Sequence, residues 1–150
     1  QREAFWDGGY TGNPALFPLF SRDLPDDIVI ININPLERDA LPTTPQQIQN
    51  RINEISFNSS LMRELRAIEF VQHLLDHGMI QEGTMSRVRI HMISDDDMMS
   101  QLSTVTKSFP NPLVIEALKE AGRASADSFL QGDIDHVGVR SSVDLVKMFS

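Results

Sequence analysis

Asp26-Asp27-Ile28-Val29-Ile30-Ile31-Asn32-Ile33-Asn34-Pro35 is the stretch on which the organisation of this chain turns. From Ile28 to Ile33 it is β-branched, of strand length, and apolar on both faces. A strand with one wet face alternates polar and apolar residues, so this run reads as a central strand of a covered parallel sheet. Asn34-Pro35 closes it, and loop chemistry continues to Pro42. Thr44 can cap a helix, with Pro45 at its first position and Gln47 placed for a capping box. Ile48, Ile52, Ile55, Leu61, Leu65, Ile68 and Leu75 then recur at helical spacing, and Gly78 is the stop. Unbroken, such a helix is about 50 Å long. Phe57-Asn58-Ser59-Ser60 is the expected kink or break.

Val88, Ile90 and Met92 alternate with Arg87, Arg89 and His91, which predicts a second strand with His91 on its polar face. Ser94-Asp95-Asp96-Asp97 follows as a loop or helix start. A short helix is expected over Met98 to Val105. Asn111-Pro112 opens another, with Leu113, Ile115, Leu118, Ala121, Phe129 and Leu130 on its apolar side and Gly132 as its end. Ser141 or Ser142 can cap a last short helix bearing Val143, Leu145, Val146, Met148 and Phe149. The order is loop, strand, long helix, strand, helices. This is an α/β pattern with too few strands for a complete doubly wound sheet. No internal repeat or low-complexity linker interrupts it.

The bulk numbers suit one domain or a large piece of one: 150 residues, 41% hydrophobic and 23% charged. A net charge of −8 repels phosphate backbones and excludes nucleic acid as a general partner. The absence of cysteine excludes disulfides, thiolate chemistry and cysteine-based zinc sites. No apolar run approaches the roughly 20 residues of a membrane span, and no signal peptide is visible, so a cytoplasmic location is expected. The chain opens at Gln1 inside structure-forming sequence, and a further N-terminal segment is expected before it.

The chemistry concentrates at the front. Asp7-Gly8-Gly9 is a turn signal, because glycine accepts positive φ without steric cost. Gly12-Asn13-Pro14 prolongs the loop. Taken alone, Asp-Gly-Gly is most often a plain turn. Here Phe5-Trp6-Asp7-Gly8-Gly9-Tyr10-Thr11-Gly12-Asn13-Pro14 resembles the Asp-Gly-Gly block of patatin-like phospholipases. Asn32-Ile33-Asn34-Pro35-Leu36, Arg51 to Asn58, and Gly138 to Leu145 also look like bacterial members of that family, so the resemblance runs over most of the chain. It implies a three-layer α/β/α fold with a mostly parallel sheet and a Ser-Asp dyad, with Asp7 matching the dyad aspartate. Gly8 and Gly9 would let the backbone aim that carboxylate, and Asn13 would hold the loop as scaffold. A carboxylate beside a serine hydroxyl can take its proton without an intervening histidine. This sequence has no Gly-x-Ser-x-Gly elbow and no glycine-rich oxyanion loop. The expectation is therefore that residues 1–150 are the C-terminal part of one catalytic domain. The missing N-terminal part would supply the serine, and the chain alone would be inactive. The implied substrate is a lipid or fatty-acyl ester, with no metal and no cofactor.

The remaining candidates read more plainly. His73 and His77 share a helix face but show no third ligand, so surface histidines are expected rather than a metal-dependent hydrolase. Asp95-Asp96-Asp97 lacks the spacing of a calcium loop and reads as a solvated loop or helix start. His136 has no evident partner. Met92, Met98 and Met99 read as flexible core filler. The segment from Leu16 to Phe20 reads as a helical turn burying its side chains in the core, with an acyl-site lining as the second choice. The rival function is a non-enzymatic interaction or dimerisation module built on the long amphipathic helix, with a homo-oligomer as its product. A bare central strand also predicts aggregation or strand swapping of the isolated chain.

Overall fold

A computed structural model describes residues 3–38, 40–102 and 111–149. Its centre is a βαβ unit. Strand β1 (Asp27–Asn32) runs parallel to β2 (Arg89–Ser94), in register from Asp27 opposite Arg89 to Asn32 opposite Ser94. Helix α1 (Pro45–Asp76) is the crossover. It begins as its sequence dictates. Thr44 Oγ1 accepts from Gln47 N, and the Gln47 side chain returns to the Thr44 backbone N–H. Its end is equally well defined. Gly78 takes φ +64°, Gly78 N donates to Leu75 O, and Met79 N donates to Leu74 O, so the last carbonyls are satisfied in a Schellman arrangement.

The expected break at residues 57–60 does not occur; α1 is continuous over 32 residues. The polar side chains that suggested it are used elsewhere. Asn58 Nδ2 donates to Pro35 O at 2.9 Å, Ser60 Oγ accepts from Asn13 N at 2.9 Å, and Ser59 Oγ bonds back to Ser56 O. Each satisfies a group outside the helical ladder or accommodates itself within it.

Leu61, Leu65 and Ile68 of α1 pack on Ile28, Ile30 and Ile90 of the sheet and on Val88 just before β2, with Leu16 and Leu145 closing the cluster. Burying each such side chain contributes about 1.5–3 kcal/mol. All the sheet-facing residues of α1 lie in its second half, so the first half extends past the carboxyl ends of the strands.

The short helix α2 (Asp96–Gln101) follows β2, and α3 (Pro112–Gln131) lies against β2 on the sheet face opposite α1. Asp95 and Asn111 cap them through their side chains. The rest of the helix expected over Met98 to Val105 lies outside the described residues. Helix α4 (Leu145–Met148) is capped by Asp144, whose Oδ1 accepts from Lys147 N. Ser141 is not that cap. Its hydroxyl accepts from Ile90 N at 3.1 Å while Ser142 N donates to Ile90 O, so residues 141–142 follow the outer edge of β2.

Three expectations about burial change. Strand β1 has β2 as its only hydrogen-bonded neighbour among the described residues. Its second face is open: Val29, Ile31 (72% exposed) and Ile33 project from it. In α3 Phe129 is buried, but Leu113, Ile115 and Leu130 are exposed. In the 3-10 turn Phe17–Phe20, preceding Leu16 is buried while Phe17 is 68% exposed, because a turn this short presents one residue at a time to the core. The architecture is thus mixed helix and strand, a two-strand parallel sheet with helices on both faces.

Candidate functional site

Asp7 caps the 3-10 turn Gly8–Tyr10: its Oδ1 accepts from Gly9 N at 2.8 Å. Thr11 N and Gly12 N then converge on Gly8 O. Contrary to the reading from sequence, neither Gly8 nor Gly9 has positive φ. Gly9 serves close approach instead. A Cβ there would stand 3.2 Å from Asp7 Oδ1, whereas one on Gly8 would meet nothing within 4 Å. Asp7 itself is exposed, and its Oδ2 has no partner among the described residues.

The turn is fastened to α1. Asn13, in a cis bond to Pro14, donates its backbone N–H to Ser60 Oγ, so it holds the loop through main chain rather than side chain. Leu16 N donates to Glu64 Oε2. Phe57 is the α1 residue nearest Gly9. The same turn of α1 receives the end of β1, through Asn58 and the Pro35 carbonyl. The Asp7 loop and the carboxyl end of β1 therefore hang from residues 57–60 of one helix. In open parallel sheets, that end is where ligands bind.

Two further clusters fix this end. Glu54, almost fully buried, is gripped by Arg38 through Nε (2.8 Å) and Nη2 (2.6 Å), with Arg51 Nη1 at 3.4 Å. Arg38 Nη1 also donates to Ser100 O, which ties α2 to α1. Hydrogen bonding to the Glu54 carboxylate raises the Arg38 pKa further, against the opposing effect of burial. Asp96 Oδ2 accepts from Leu36 N and Glu37 N, so the acidic run anchors the loop after β1 rather than lying free in solvent. Beyond the strand ends, a cavity of about 670 Å³ opens between the sheet and α3, with Ile33, Ile93, Met99 and Leu118 among its walls.

At the amino end the structure shows a cluster that the sequence reading missed. Asp27 Oδ1 accepts from Arg89 Nε (3.0 Å), pairs with His91 Nε2 (3.0 Å) and accepts from Gly138 N (2.8 Å); Oδ2 accepts from Arg89 Nη2 (2.9 Å). Hydrogen bonding to Arg89 holds its carboxyl well below the usual carboxylate range, against the opposing effect of burial, and Gly138 N–H and His91 add to the lowering. His91 is fully buried, not on a polar face, because α3 covers that side of β2 and brings the Phe129 ring edge-on to it at 6.3 Å. The signal for this cluster was strand register, which one sequence does not reveal.

The other histidines are settled by their neighbours. His73 and His77 stack at 4.1 Å, with His77 Nδ1 on the His73 carbonyl. His136 is partnered after all, with Arg140 Nη2 at 2.7 Å from its Nε2 and Asp133 near its Nδ1. Among the described residues, no group of three or more His, Asp or Glu side chains is arranged to hold a metal, and no helix is long and apolar enough to cross a membrane.

Comparison with family models, with curated proteins and with solved structures finds no match to this chain.

Proposed function

We propose that this chain is the carboxylate-bearing, C-terminal part of a patatin-like lipid acyl hydrolase, with Asp7 as general base. The observation that carries the proposal is the state of Asp7. One carboxylate oxygen is fixed by Gly9 N–H, the other is open, and the turn that bears them is moored beside the carboxyl end of β1. A base needs that combination of fixed position and free lone pair.

In this reading Asp7 takes the proton of a serine hydroxyl as its oxygen attacks the ester carbonyl. It returns that proton to the leaving alcohol when the acyl-serine forms. It then takes a proton from the water that cleaves the acyl-serine and passes it to the departing serine oxygen, which restores the dyad. The serine and the N–H donors for the oxyanion belong to polypeptide outside these residues. The open edge of β1 and the bare face of Val29, Ile31 and Ile33 support further strands and helices completing a three-layer, mostly parallel fold. The substrate class is a phospholipid or other fatty-acyl ester. The dyad requires no metal or cofactor.

The test is hydrolysis of a short-chain acyl ester by a protein containing this chain together with its serine-elbow segment, compared with its Asp7→Asn form. A loss of about 10²–10⁴-fold with an unchanged melting curve is expected. Unaltered activity in the folded variant overturns the assignment.

One observation favours an interaction module instead. Ile48, Ile52 and Ile55 form an exposed stripe on the first half of α1, a stretch whose only charges are Arg51 and Glu54, which pair with each other. That reading predicts a dimer of the 150-residue chain in sedimentation, dissociated by Ile52→Glu.

A further inference from the structure

We propose that a groove at the amino ends of the strands binds a medium-chain fatty acid, with the carboxylate on Arg22 and the tail along α1. The site consists of this chain's own residues and does not rest on the hydrolase reading.

The groove has a volume of about 370 Å³ and is lined by Phe20, Ala67, Ile68, Val71 and Met85. Its floor is the buried core itself, since Ile68 belongs to the central cluster and Phe20 packs against it. Two hydrogen bonds join its walls: Arg22 Nη2 donates to Thr84 O, and Ser86 Oγ donates to Phe20 O at 3.3 Å.

The first bond also orients Arg22. Among the described residues it is the only hydrogen bond of the Arg22 side chain, and no carboxylate pairs with its charge. A guanidinium carries donors in a fixed fork, so one carbonyl leaves most of them unused. An apolar trough ending in an uncompensated cation matches an amphiphile with one anionic head. Its volume is near the lower end of the range for ligand sites, which selects a medium chain over a long one.

Titration calorimetry of the soluble, cooperatively melting fraction of the 150-residue chain with decanoate, below its micelle concentration, tests this. Saturable single-site binding is expected. Arg22→Gln should weaken decanoate about tenfold, the usual worth of a charge-assisted hydrogen bond, and leave decanol binding unchanged. Arg22→Lys should restore part of the loss. Ala67→Trp, at an exposed helix position, should fill the trough and remove binding of both ligands without altering the circular dichroism spectrum. Absence of saturable decanoate binding overturns the proposal. So does an equal loss for decanol in Arg22→Gln, or full affinity in folded Ala67→Trp.

Discussion

Asp7 and Asp27 stand toward opposite ends of the same two-strand sheet, and the same side chain meets opposite surroundings in the two places. Asp27 is the first residue of β1 and accepts from Arg89 twice and from Gly138 N–H once, with His91 against the same oxygen. Its lone pairs are committed, and Arg89 holds it ionised well below ordinary carboxylate pH. Asp7 accepts one hydrogen bond, from its own turn. A carboxylate surrounded by donors binds secondary structure together but is a poor base. A carboxylate held at one oxygen has lone pairs left for another partner and contributes little to stability. Perturbed titration alone would point to Asp27 as the functional group; the proposed base is instead Asp7, whose second oxygen has no partner among the described residues.

Exchanging the roles by mutation gives the largest separation. In the serine-complete protein, Asp7→Asn should abolish most ester hydrolysis, as described above, with little change in melting. Asp27→Asn should do the reverse. It removes the charge between Arg89 and His91 and leaves a partly buried arginine facing only Asp26, 3.8 Å away, among the described residues, at a cost of about 2 kcal/mol. Thermal denaturation should show a fall of about 4–8 °C. Activity per folded molecule should persist. Loss of activity in well-folded Asp27→Asn, with Asp7→Asn fully active, would invert the comparison.

The acid limb of stability sharpens it further. The folded-state pKa of Asp27 is depressed, so its contribution is present above the unfolded carboxylate range, at about pH 4. It is lost as pH falls below that range toward the folded value. Wild type should therefore lose stability to Asp27 protonation below about pH 4, and Asp27→Asn should lack that part of the slope. Denaturant titrations at stepped pH measure both. Parallel curves for the two proteins would show that the Asp27 cluster is not an acid-sensitive clamp.

How far these two sites could be read in the sequence differs for a physical reason. The turn at Asp7-Gly8-Gly9 is a local pattern, which one dimension reveals, although the positive φ expected of its glycines is not found. The capping box at Thr44, the Gly78 stop and the Asn111 cap are local patterns too. The Asp27 cluster joins residues separated by more than 60 positions, and only the parallel register makes them neighbours. The same limit explains His91. Alternation placed it on the second face of β2, but whether that face is wet depends on where α3 docks. The missing kink at Asn58 and Ser60 is a related case, since their partners Pro35 and Asn13 come from distant loops. The apolar face of β1 is the converse: residues 28–33 read as covered, and among the described residues nothing covers Val29, Ile31 and Ile33.

The smallest expected effect is the most discriminating for Asp7. Gly8 and Gly9 lie side by side with ordinary backbone angles, so alanine at either strains nothing. They differ in what a methyl group would touch. At Gly8 it would enter open space; at Gly9 it would press on the Asp7 carboxylate, with Oδ1 at 3.2 Å and Cγ at 3.8 Å. That carboxylate is the far end of a mobile side chain and can swing aside, so both variants should keep stability within about 0.5 kcal/mol of wild type. Swinging aside moves the base, however, and displacement of a reacting group by about an ångström costs ten- to a hundredfold in rate. In the serine-complete enzyme, Gly9→Ala should lose activity on that scale while Gly8→Ala retains it. Equal activity in the two variants would mean that the position of the Asp7 carboxylate is immaterial, and would return Asp7-Gly8-Gly9 to the status of a plain turn.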